Sequence, residues 1–223
     1  MSGHSANMVA LKKLLRKAVR EKLKAMAVER VAVLSDAVSN SFTKQRAYQE
    51  AKVVSIFLSM PPPLEIQTWT LLKQCFLDGK RVYVPTVTGK GPNDMVMVPA
   101  DSYEEILSWP LSKWKIKEPS QEYIDRVEDG TESGVIDLVV VPGLAFSASC
   151  MRLGQGRGYY DTFFQKLNRS RSERNLPKAT YIGIGFDEQI VDEIPAEDHD
   201  QPLDGVLTPS FSFPSIPTAP TSS

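Results

Sequence analysis

Short apolar runs rich in β-branched residues recur along the chain, and helical patterns separate them. The runs are VVSIFLSM, RVYVPTV, IDLVVV and TYIGIGF, at residues 53–60, 81–87, 136–141 and 180–186. Runs of this kind are typical of strands inside a parallel sheet. Weaker strands are expected at residues 95–98 and 206–208. The alternation predicts an α/β fold: a three-layer αβα domain with a mostly parallel sheet.

The segments between these runs predict helices. Apolar side chains recur at three- and four-residue steps over residues 11–26 and 31–38, which indicates N-terminal helices packed against the sheet. Further helices are expected over residues 66–77 and 159–167. The order of elements between residues 103 and 132 stays open, because prolines mark loops there.

One domain is predicted over residues 1–209. The 223 residues, 42% hydrophobic and 24% charged, suit a single core of ordinary composition. No internal repeat is visible in the sequence. Residues 210–223 (SFSFPSIPTAPTSS) are rich in serine, threonine and proline, and are expected to form a disordered tail.

Charge and cysteine usage argue against several classes of protein. The formal net charge is −1, whereas dedicated nucleic-acid binders usually carry a basic excess. No apolar run approaches the roughly 20 residues of a membrane span. The two cysteines, Cys75 and Cys150, have no CxxC spacing, which indicates reduced thiols in an intracellular compartment.

Histidine usage limits the metal chemistry. The only histidines are His4 and His199, which argues against a histidine-rich zinc site. A Ser-His-Asp triad could use only His199. Any bound metal is therefore expected to be a hard cation held by carboxylates.

The basic, amphipathic segment from Leu11 to Lys24 fits three interpretations. Mitochondrial presequences have this character. A surface helix with a solvated basic face is the plainest interpretation. The third puts some of these cations in a phosphate site, because Lys12 and Arg16 are four residues apart and share one helix face.

A glycine-rich loop follows the most apolar of the predicted strands and leads into a helix. Its sequence is RLGQGRGYYD, residues 152–161. Alternate glycines let backbone N–H groups approach an anion, the helix N-terminus adds positive potential, and arginines chelate phosphate oxygens. The string is neither GxxxxGK[ST] nor GxGxxG. A flexible loop is the alternative for bare glycines, but the two arginines and the flanking strand and helix favour phosphate binding.

A longer string around this loop resembles the signature of the 5-formyltetrahydrofolate cyclo-ligase family, also called methenyltetrahydrofolate synthetase. That string is VPGLAFSASCMRLGQGRGYYDTFF, residues 141–164. Further landmarks stand in family order, and the likeness covers roughly residues 10–209. They are the K..LR pattern of Lys12, Leu15 and Arg16, SIFLSM at 55–60, Glu65 to Thr68, Trp114 to Pro119, and HDQPLDGVLTP at 199–209.

The resemblance implies a reaction with two small-molecule substrates. Members use ATP and Mg²⁺ to convert 5-formyltetrahydrofolate into 5,10-methenyltetrahydrofolate, ADP and phosphate. Phosphorylation turns the formyl oxygen into a leaving group, and N10 then attacks the carbon. The protein is expected to be a cytoplasmic monomer without nucleic-acid or membrane partners, with a mitochondrial location as the alternative.

The same resemblance assigns the nucleotide site. Arg157 is expected nearest the transferred phosphoryl group, and Tyr159 and Tyr160 lie where phosphate loop and substrate meet, so these three are the catalytic candidates. One tyrosine is expected to orient the formyl group and the other to belong to the core. The ATP-binding candidates are Lys12, Lys13, Leu14, Leu15, Arg16, Arg152, Leu153, Gly154, Gln155, Gly156, Arg157, Gly158, Tyr159 and Tyr160.

The resemblance also assigns metal and folate contacts. Asp161 and Asp204 are expected to hold Mg²⁺. On the residues alone, Asp161 is equally a helix N-terminal acid, and Asp204, before glycine, is a turn residue. Leu58, Glu65 and Trp114 are expected to contact the folate, with Glu65 accepting from the amino-pyrimidine edge and Trp114 stacking on a ring.

The chain departs from the family pattern in the loop and before Glu65. Ser147 stands where aspartate is frequent, Cys150 where glycine is, and Gln155 where arginine is. Prolines 61–63 lengthen the segment before Glu65. The rival interpretations are a non-catalytic folate- or nucleotide-binding relative, another phosphate-ligand enzyme of similar fold, and a basic-helix module that binds membranes or nucleic acid.

Overall fold

The helices of the chain fall at its start, its middle and after the glycine-rich loop. A computed structural model describes residues 2–195 and 200–214. The helices in these ranges are α1 (Ser2–Lys24), α2 (Val28–Phe42), α3 (Arg46–Glu50), α4 (Trp69–Leu77), α5 (Tyr103–Ser108), α6 (Gln121–Arg126), α7 (Gly130–Ser133) and α8 (Tyr159–Glu173). The segment whose order the sequence left open, residues 103–132, thus contains most of three short helices. None of the described helices is long and apolar enough to cross a bilayer.

The strands form one large and one small sheet. They are β1 (Val53–Ile56), β2 (Arg81–Val87), β3 (Met95–Ala100), β4 (Leu138–Val141), β5 (Ala145–Ser147), β6 (Arg152–Leu153), β7 (Thr180–Ile184), β8 (Ile190–Val191), β9 (Gly205–Leu207) and β10 (Ser212–Phe213). The large sheet has the order β10-β9-β7-β4-β1-β2-β3, and the small one β6-β5-β8. All six strand regions predicted from the sequence are present.

The centre of the large sheet is parallel and its two edges are antiparallel. Strands β9, β7, β4, β1 and β2 run parallel to their neighbours. The edge strands β3 and β10 pair antiparallel to β2 and β9. The chain builds the sheet outward in opposite directions from the pair β1 and β4. In open α/β sheets, ligands bind at the carboxyl ends of strands at such a switch point.

Alternate residues of the central strands enter two separate cores. Val54 and Ile56 of β1 belong to the core that includes α1 and α2, whereas Val53 belongs to the core that includes α8. The pleat of a strand sends successive side chains to opposite faces, so helices cover both faces of the sheet. The three-layer αβα architecture and the N-terminal helices against the sheet are thereby confirmed.

Two segments differ from the sequence prediction. The stretch after β4, expected to be loop as far as Gly158, contains β5 and β6. Residues 210–214, assigned to a disordered tail, include β10, and the Cys150 Sγ donates to the carbonyl of Phe213 at 3.0 Å. Regular structure therefore extends past residue 209, because pairing with β9 holds a segment whose composition alone indicates disorder. Residues 215–223, the rest of the predicted tail, lie outside the described residues, as does His199.

Candidate active site

A cavity of about 530 Å³ opens at the carboxyl ends of β1 and β4, the switch point of the sheet. Four segments supply its walls: α1, the segment after β1, the loop after β4 with the start of α8, and Asp200. The lining residues are Val9, Lys12, Arg16, Met60, Leu64, Glu65, Pro142, Gly143, Leu144, Arg152, Leu153, Gly154, Gln155, Gly156, Arg157, Gly158, Tyr159, Tyr160, Asp161 and Asp200. Every predicted residue of the glycine-rich loop is among them.

The glycine-rich loop has the backbone that its sequence predicts. Gly156 and Gly158 adopt φ values of +91° and +74°, a region that side chains disfavour. Gly158 directly precedes α8, which begins at Tyr159. The positive end of the α8 dipole and its unpaired N–H groups therefore lie at the cavity wall. This arrangement suits an anion such as phosphate.

Arg152 and Asp161 form an ion pair at the base of the loop. The Arg152 Nη2 donates to Asp161 Oδ1 at 2.6 Å, and the two side chains are 8% and 34% exposed. The guanidinium carbon also lies 5.4 Å from the ring centroid of Tyr160 and 5.7 Å from that of Phe164. Asp161 thus fixes an arginine that lines the cavity, in addition to standing in the first turn of α8.

Helix α1 presents two cations to the cavity. The Lys12 Nζ lies 2.8 Å from Asp200 Oδ2. The Arg16 Nε donates to the Gly154 carbonyl at 2.8 Å. Burial, and then the nearby charge of Arg20, lower the pKa of the Arg16 guanidinium. The third interpretation of the basic segment, cations at a phosphate site, fits this placement.

The other three residues of that stretch with an expected ATP contact lie outside the cavity wall. Lys13 and Leu14 are exposed, and Leu15 packs against the core, so none of them lines the cavity. Lys12 and Arg16, four residues apart, lie on the face of α1 that meets the cavity. The ATP contacts expected of Lys13, Leu14 and Leu15 stay predictions.

The three catalytic candidates all line the cavity, in different surroundings. Arg157 is exposed. The Tyr159 hydroxyl donates to the Gly89 carbonyl at 3.1 Å. Tyr160 packs edge-on against Phe163 and Phe164, and burial raises the pKa of its hydroxyl, which therefore stays protonated. Both tyrosines combine a structural contact with access to the cavity.

Glu65 reaches the cavity from the segment after β1. Its Oε1 accepts from the Met60 backbone N–H at 2.5 Å, which folds the proline-containing segment back on itself. Removal from water raises the pKa of the Glu65 carboxyl to about 7, with the Met60 hydrogen bond opposing the shift. The carboxyl can therefore change charge near neutral pH. The extra prolines leave Glu65 in the cavity wall.

The other two folate candidates do not line the cavity. Leu58 is 5% exposed and belongs to the core beside α1 and α2. Trp114 is 63% exposed, with the Lys113 Nζ 5.4 Å from its ring centroid. Their folate contacts stay predictions. Leu58 has the placement of a core residue, and Trp114 that of a surface residue in the segment bridged by Leu111 and Lys117.

Asp204 is not brought together with Asp161 in the cavity. Its Oδ2 accepts from the Tyr181 N–H at 2.8 Å, and its Oδ1 lies 3.6 Å from the Lys178 Nζ. Asp204 therefore has the structural role of a residue at the start of β9, which the turn interpretation anticipated. Asp204 does not line the cavity, and the Mg²⁺ site that it was expected to share with Asp161 stays a prediction.

The donor set suits Mg²⁺ only in company with phosphate. Within residues 2–195 and 200–214, no group of three or more carboxylate, histidine or cysteine side chains stands ready for a metal. The cavity wall offers the carboxylates of Asp161, Asp200 and Glu65. Mg²⁺ is commonly held by one or two carboxylates with substrate phosphates and waters, so the cavity fits it when ATP is bound.

Sequence reasoning missed several lining residues. Asp200 is the charged residue among them. It lies within the family landmark at residues 199–209, but no role was predicted for it. Met60, Leu64 and residues 142–144 line the apolar part of the cavity. Their positions at the ends of β1 and β4 are the signal that identifies them, because ligands gather there in parallel sheets.

Comparisons with known proteins identify the family of this chain. The model of the 5-formyltetrahydrofolate cyclo-ligase family matches residues 8–209. A 5-formyltetrahydrofolate cyclo-ligase of Mus musculus is 33% identical over 86% of this chain and 91% of its own. The Escherichia coli (strain K12) protein of that name is 26% identical over 86% and 97%.

Solved structures with this fold carry the synonymous name. A 5,10-methenyltetrahydrofolate synthetase of Aquifex aeolicus superimposes with a TM-score of 0.70 at 23% identity, over 91% of this chain and 92% of that one. The synthetase of Mycoplasma pneumoniae gives a TM-score of 0.61 over 89% and 99%. These two likenesses support the fold. The family model, which matches residues 8–209, and the 33% identity to the Mus musculus protein show that the chain belongs to the 5-formyltetrahydrofolate cyclo-ligase family.

Proposed function

We propose that this protein is an ATP- and Mg²⁺-dependent enzyme that cyclises 5-formyltetrahydrofolate to 5,10-methenyltetrahydrofolate, with release of ADP and phosphate. The observation that carries the proposal is one cavity that joins two different kinds of wall. One wall is the cationic glycine-rich loop with α1, and the other is the apolar segment that bears Glu65. The first wall suits a nucleoside triphosphate, and the second wall suits a flat, partly polar ring system.

The nucleotide half binds and orients the triphosphate. Arg16 and Arg152 are held at the loop by the Gly154 carbonyl and Asp161, so their guanidinium groups are already oriented before ATP arrives. Arg157, exposed at the loop, is free to follow the γ-phosphoryl group as its charge spreads in the transition state. The Asp161 carboxylate would hold Mg²⁺ together with phosphate oxygens, and the ion would neutralise part of the phosphate charge.

The chemical steps follow from the weakness of the formyl oxygen as a leaving group. The formyl oxygen of the substrate attacks the γ-phosphorus, and the bond to the ADP oxygen breaks. N10 then attacks the formyl carbon and closes the five-membered ring. The carbon–oxygen bond breaks, phosphate leaves with its electron pair, and N10 loses its proton. The electron pair of N5 completes the methenyl product.

Glu65 is proposed to bind the pterin edge. A carboxylate accepts two parallel hydrogen bonds from an amino-pyrimidine, and these donors replace the water that the cavity removes. Burial raises the pKa of Glu65. The donors of a bound pterin would oppose that shift, because hydrogen bonds to a carboxylate favour its charged form. Tyr160, whose hydroxyl burial keeps protonated, lines the cavity with Arg152 beside its ring and is proposed to donate to the formyl or phosphoryl oxygen.

Absorbance in the near ultraviolet tests the reaction directly. The methenyl product absorbs there and the substrate hardly does. Purified protein with 5-formyltetrahydrofolate and Mg-ATP is expected to give a steady rise, and reactions without ATP or with a chelator are the controls. A rise that ignores ATP would point to another enzyme class of similar fold. A flat trace from folded protein that binds ATP would support the non-catalytic relative instead.

We also propose a cytoplasmic monomer, with a mitochondrial location as the alternative. The two cysteines are free thiols, which fits a reducing compartment. The Arabidopsis thaliana relative is named as mitochondrial. Fractionation of tagged protein and its mass in solution test the two points.

A further inference from the structure

Three cations of α1 lie along one side of the helix at four-residue steps: Lys12, Arg16 and Arg20. Each contacts a different part of the site. Lys12 reaches Asp200, Arg16 reaches the Gly154 carbonyl, and the Arg20 Nη2 donates to the Gln155 Oε1. Arg20 does not line the cavity itself, so it acts on the site through Gln155, which does.

Two of these contacts tether the tip of the glycine-rich loop. Gln155 stands between Gly154 and Gly156, which have no side chains with which to anchor themselves. Gly156 adopts φ +91°, and a Cβ built on it would lie 3.3 Å from the Arg16 guanidinium carbon. Helix α1 therefore holds this tip at adjacent residues, through Arg16 on the backbone and Arg20 on a side chain.

The contact with Arg20 decides which way the Gln155 amide faces. A guanidinium group has donors only, so it must meet the oxygen of the amide. The Gln155 Nε2, with two N–H donors, is then directed away from Arg20. Because Gln155 lines the cavity, this nitrogen is available to an acceptor there, and the oxygens of a triphosphate are acceptors only.

Arg20 also adds charge beside the loop. Its guanidinium is close enough to that of Arg16 to contribute to the lowered pKa of Arg16. Two neighbouring like charges repel, and an arriving polyanion relieves the repulsion. The pair therefore favours phosphate over a neutral ligand at the tip of the loop.

We propose that Arg20 is a positioning residue for ATP: by holding the Gln155 oxygen it fixes the tip of the glycine-rich loop and turns the Gln155 amide nitrogen toward the phosphates. This inference rests on the proposed function, since it assumes that the loop receives a triphosphate. It adds a residue outside the cavity wall to the nucleotide machinery. It predicts that removing Arg20 and Gln155 together weakens ATP binding little more than removing either one alone.

Calorimetric titration with Mg²⁺ and a non-hydrolysable ATP analogue measures the affinity for the nucleotide independently of the folate reaction. Arg20→Ala and Gln155→Ala are each expected to weaken binding about tenfold, and the double variant by little more than either alone. Arg20→Lys, which keeps a donor on a shorter side chain, is expected to fall between. Lys22→Ala is the matched control, because Lys22 is an exposed cation on the opposite side of the same helix.

Steady-state kinetics separates positioning from a structural role. Arg20→Ala is expected to raise the KM for ATP while leaving kcat and the KM for 5-formyltetrahydrofolate near wild type. A lowered Tm with equal losses for both substrates would mean that Arg20 merely holds α1 in place, and would overturn the inference. Losses that multiply to about a hundredfold in the double variant would overturn it as well.

The binding titration also keeps this inference distinguishable from the proposed function. Wild-type protein that binds the analogue but forms no methenyl product would contradict the proposed function, while the comparison of Arg20 variants would still decide the inference. Arg20→Ala that binds the analogue as tightly as wild type and Lys22→Ala would overturn the inference alone. Wild-type protein that binds no nucleotide would overturn both.

Discussion

The Arg152 guanidinium and the Asp161 carboxylate meet at 2.6 Å across the glycine-rich loop, so the two ends of the loop are joined by an ion pair. Arg152 is the first residue of β6, the edge strand of the small sheet, and Asp161 lies in the first turn of α8. The pair thus closes the loop around the space in which a phosphate would sit. Because the Arg152 side chain is only 8% exposed, Asp161 supplies the counter-charge that water would provide at the surface.

Asp161→Asn is expected to lower kcat/KM by about a hundredfold or more, because it releases Arg152 and removes the carboxylate proposed for Mg²⁺. The free energy of unfolding is expected to fall by about 1 to 3 kcal/mol, since a buried cation loses its partner. Initial rates and urea denaturation measure the two effects.

Glu173→Gln is the matched control for that change. Glu173 lies in the last turn of the same helix and pairs with Arg169 at 2.8 Å, but both side chains are exposed. Exposed pairs contribute little, so rate and stability are expected to stay near wild type. Equal behaviour of the two variants would contradict the role given to Asp161.

Arg157→Ala is expected to reduce kcat by about two to three orders of magnitude with little change in stability. The exposed side chain contributes no core packing, and we propose that its charge stabilises the transferred phosphoryl group. Arg157→Lys is expected to recover part of the rate, because it restores the charge without the planar fork. Arg169→Ala, at an exposed arginine of α8, serves as control. Normal turnover in Arg157→Ala would remove Arg157 from the mechanism.

Glu65 predicts a pH dependence of stability with a definite sign. Its pKa is raised from 4.5 to about 7 in the folded protein, so the unfolded state gives up this proton first as pH rises. The contribution of the neutral carboxyl to stability is complete below about pH 4.5 and is lost as pH rises through about 7. The shift corresponds to roughly 3 kcal/mol at most, and less because Glu65 keeps some exposed surface.

Glu65→Gln is expected to remove this pH dependence. Urea denaturation at pH 5, 6, 7 and 8 measures it: wild type loses stability relative to Glu65→Gln as pH rises. Glu122→Gln, at an exposed glutamate of α6, is expected to follow wild type at every pH. Parallel curves for wild type and Glu65→Gln would show that the carboxyl titrates at its ordinary pKa.

The sequence predicts those parts of the fold that repeat a local pattern. Buried parallel strands are apolar on both faces, so the runs of β1, β2, β4 and β7 stand out. The small strands β5 and β6 span three and two residues, too short for a periodic signal, and only their pairing with each other and β8 defines them.

In the site, too, features formed by residues adjacent in sequence are predicted, whereas contacts between residues distant in sequence are not. The glycine-rich loop is predicted because its glycines and arginines are adjacent in sequence. Asp200 is not, because its contact with Lys12 spans 188 residues. The expected ATP contacts cover a contiguous stretch of α1, whereas only one face of the helix, with Lys12 and Arg16, meets the cavity. Asp204 makes the contacts of a turn residue, and its metal role stays a prediction.

Cys150 allows a test of backbone strain beside the site. Its φ is +61°, in the left-handed region that favours glycine, yet its side chain is buried and donates to the Phe213 carbonyl. Cys150→Ala loses the sulfur contact and keeps the strain, whereas Cys150→Gly loses both. Relief of a left-handed residue is worth about 1 kcal/mol, so Cys150→Gly is expected to be the more stable of the two variants although it removes more atoms.

At the other cysteine, Cys75, we expect the opposite order of stability for the alanine and glycine variants. Cys75 is fully buried inside α4, where glycine costs about 1 kcal/mol relative to alanine and leaves a larger void. Cys75→Gly is therefore expected to be less stable than Cys75→Ala, the opposite of the order at Cys150. Urea denaturation of the four variants measures both differences. The same order at the two sites would mean that lost packing, and not the left-handed backbone, determines the stability at Cys150.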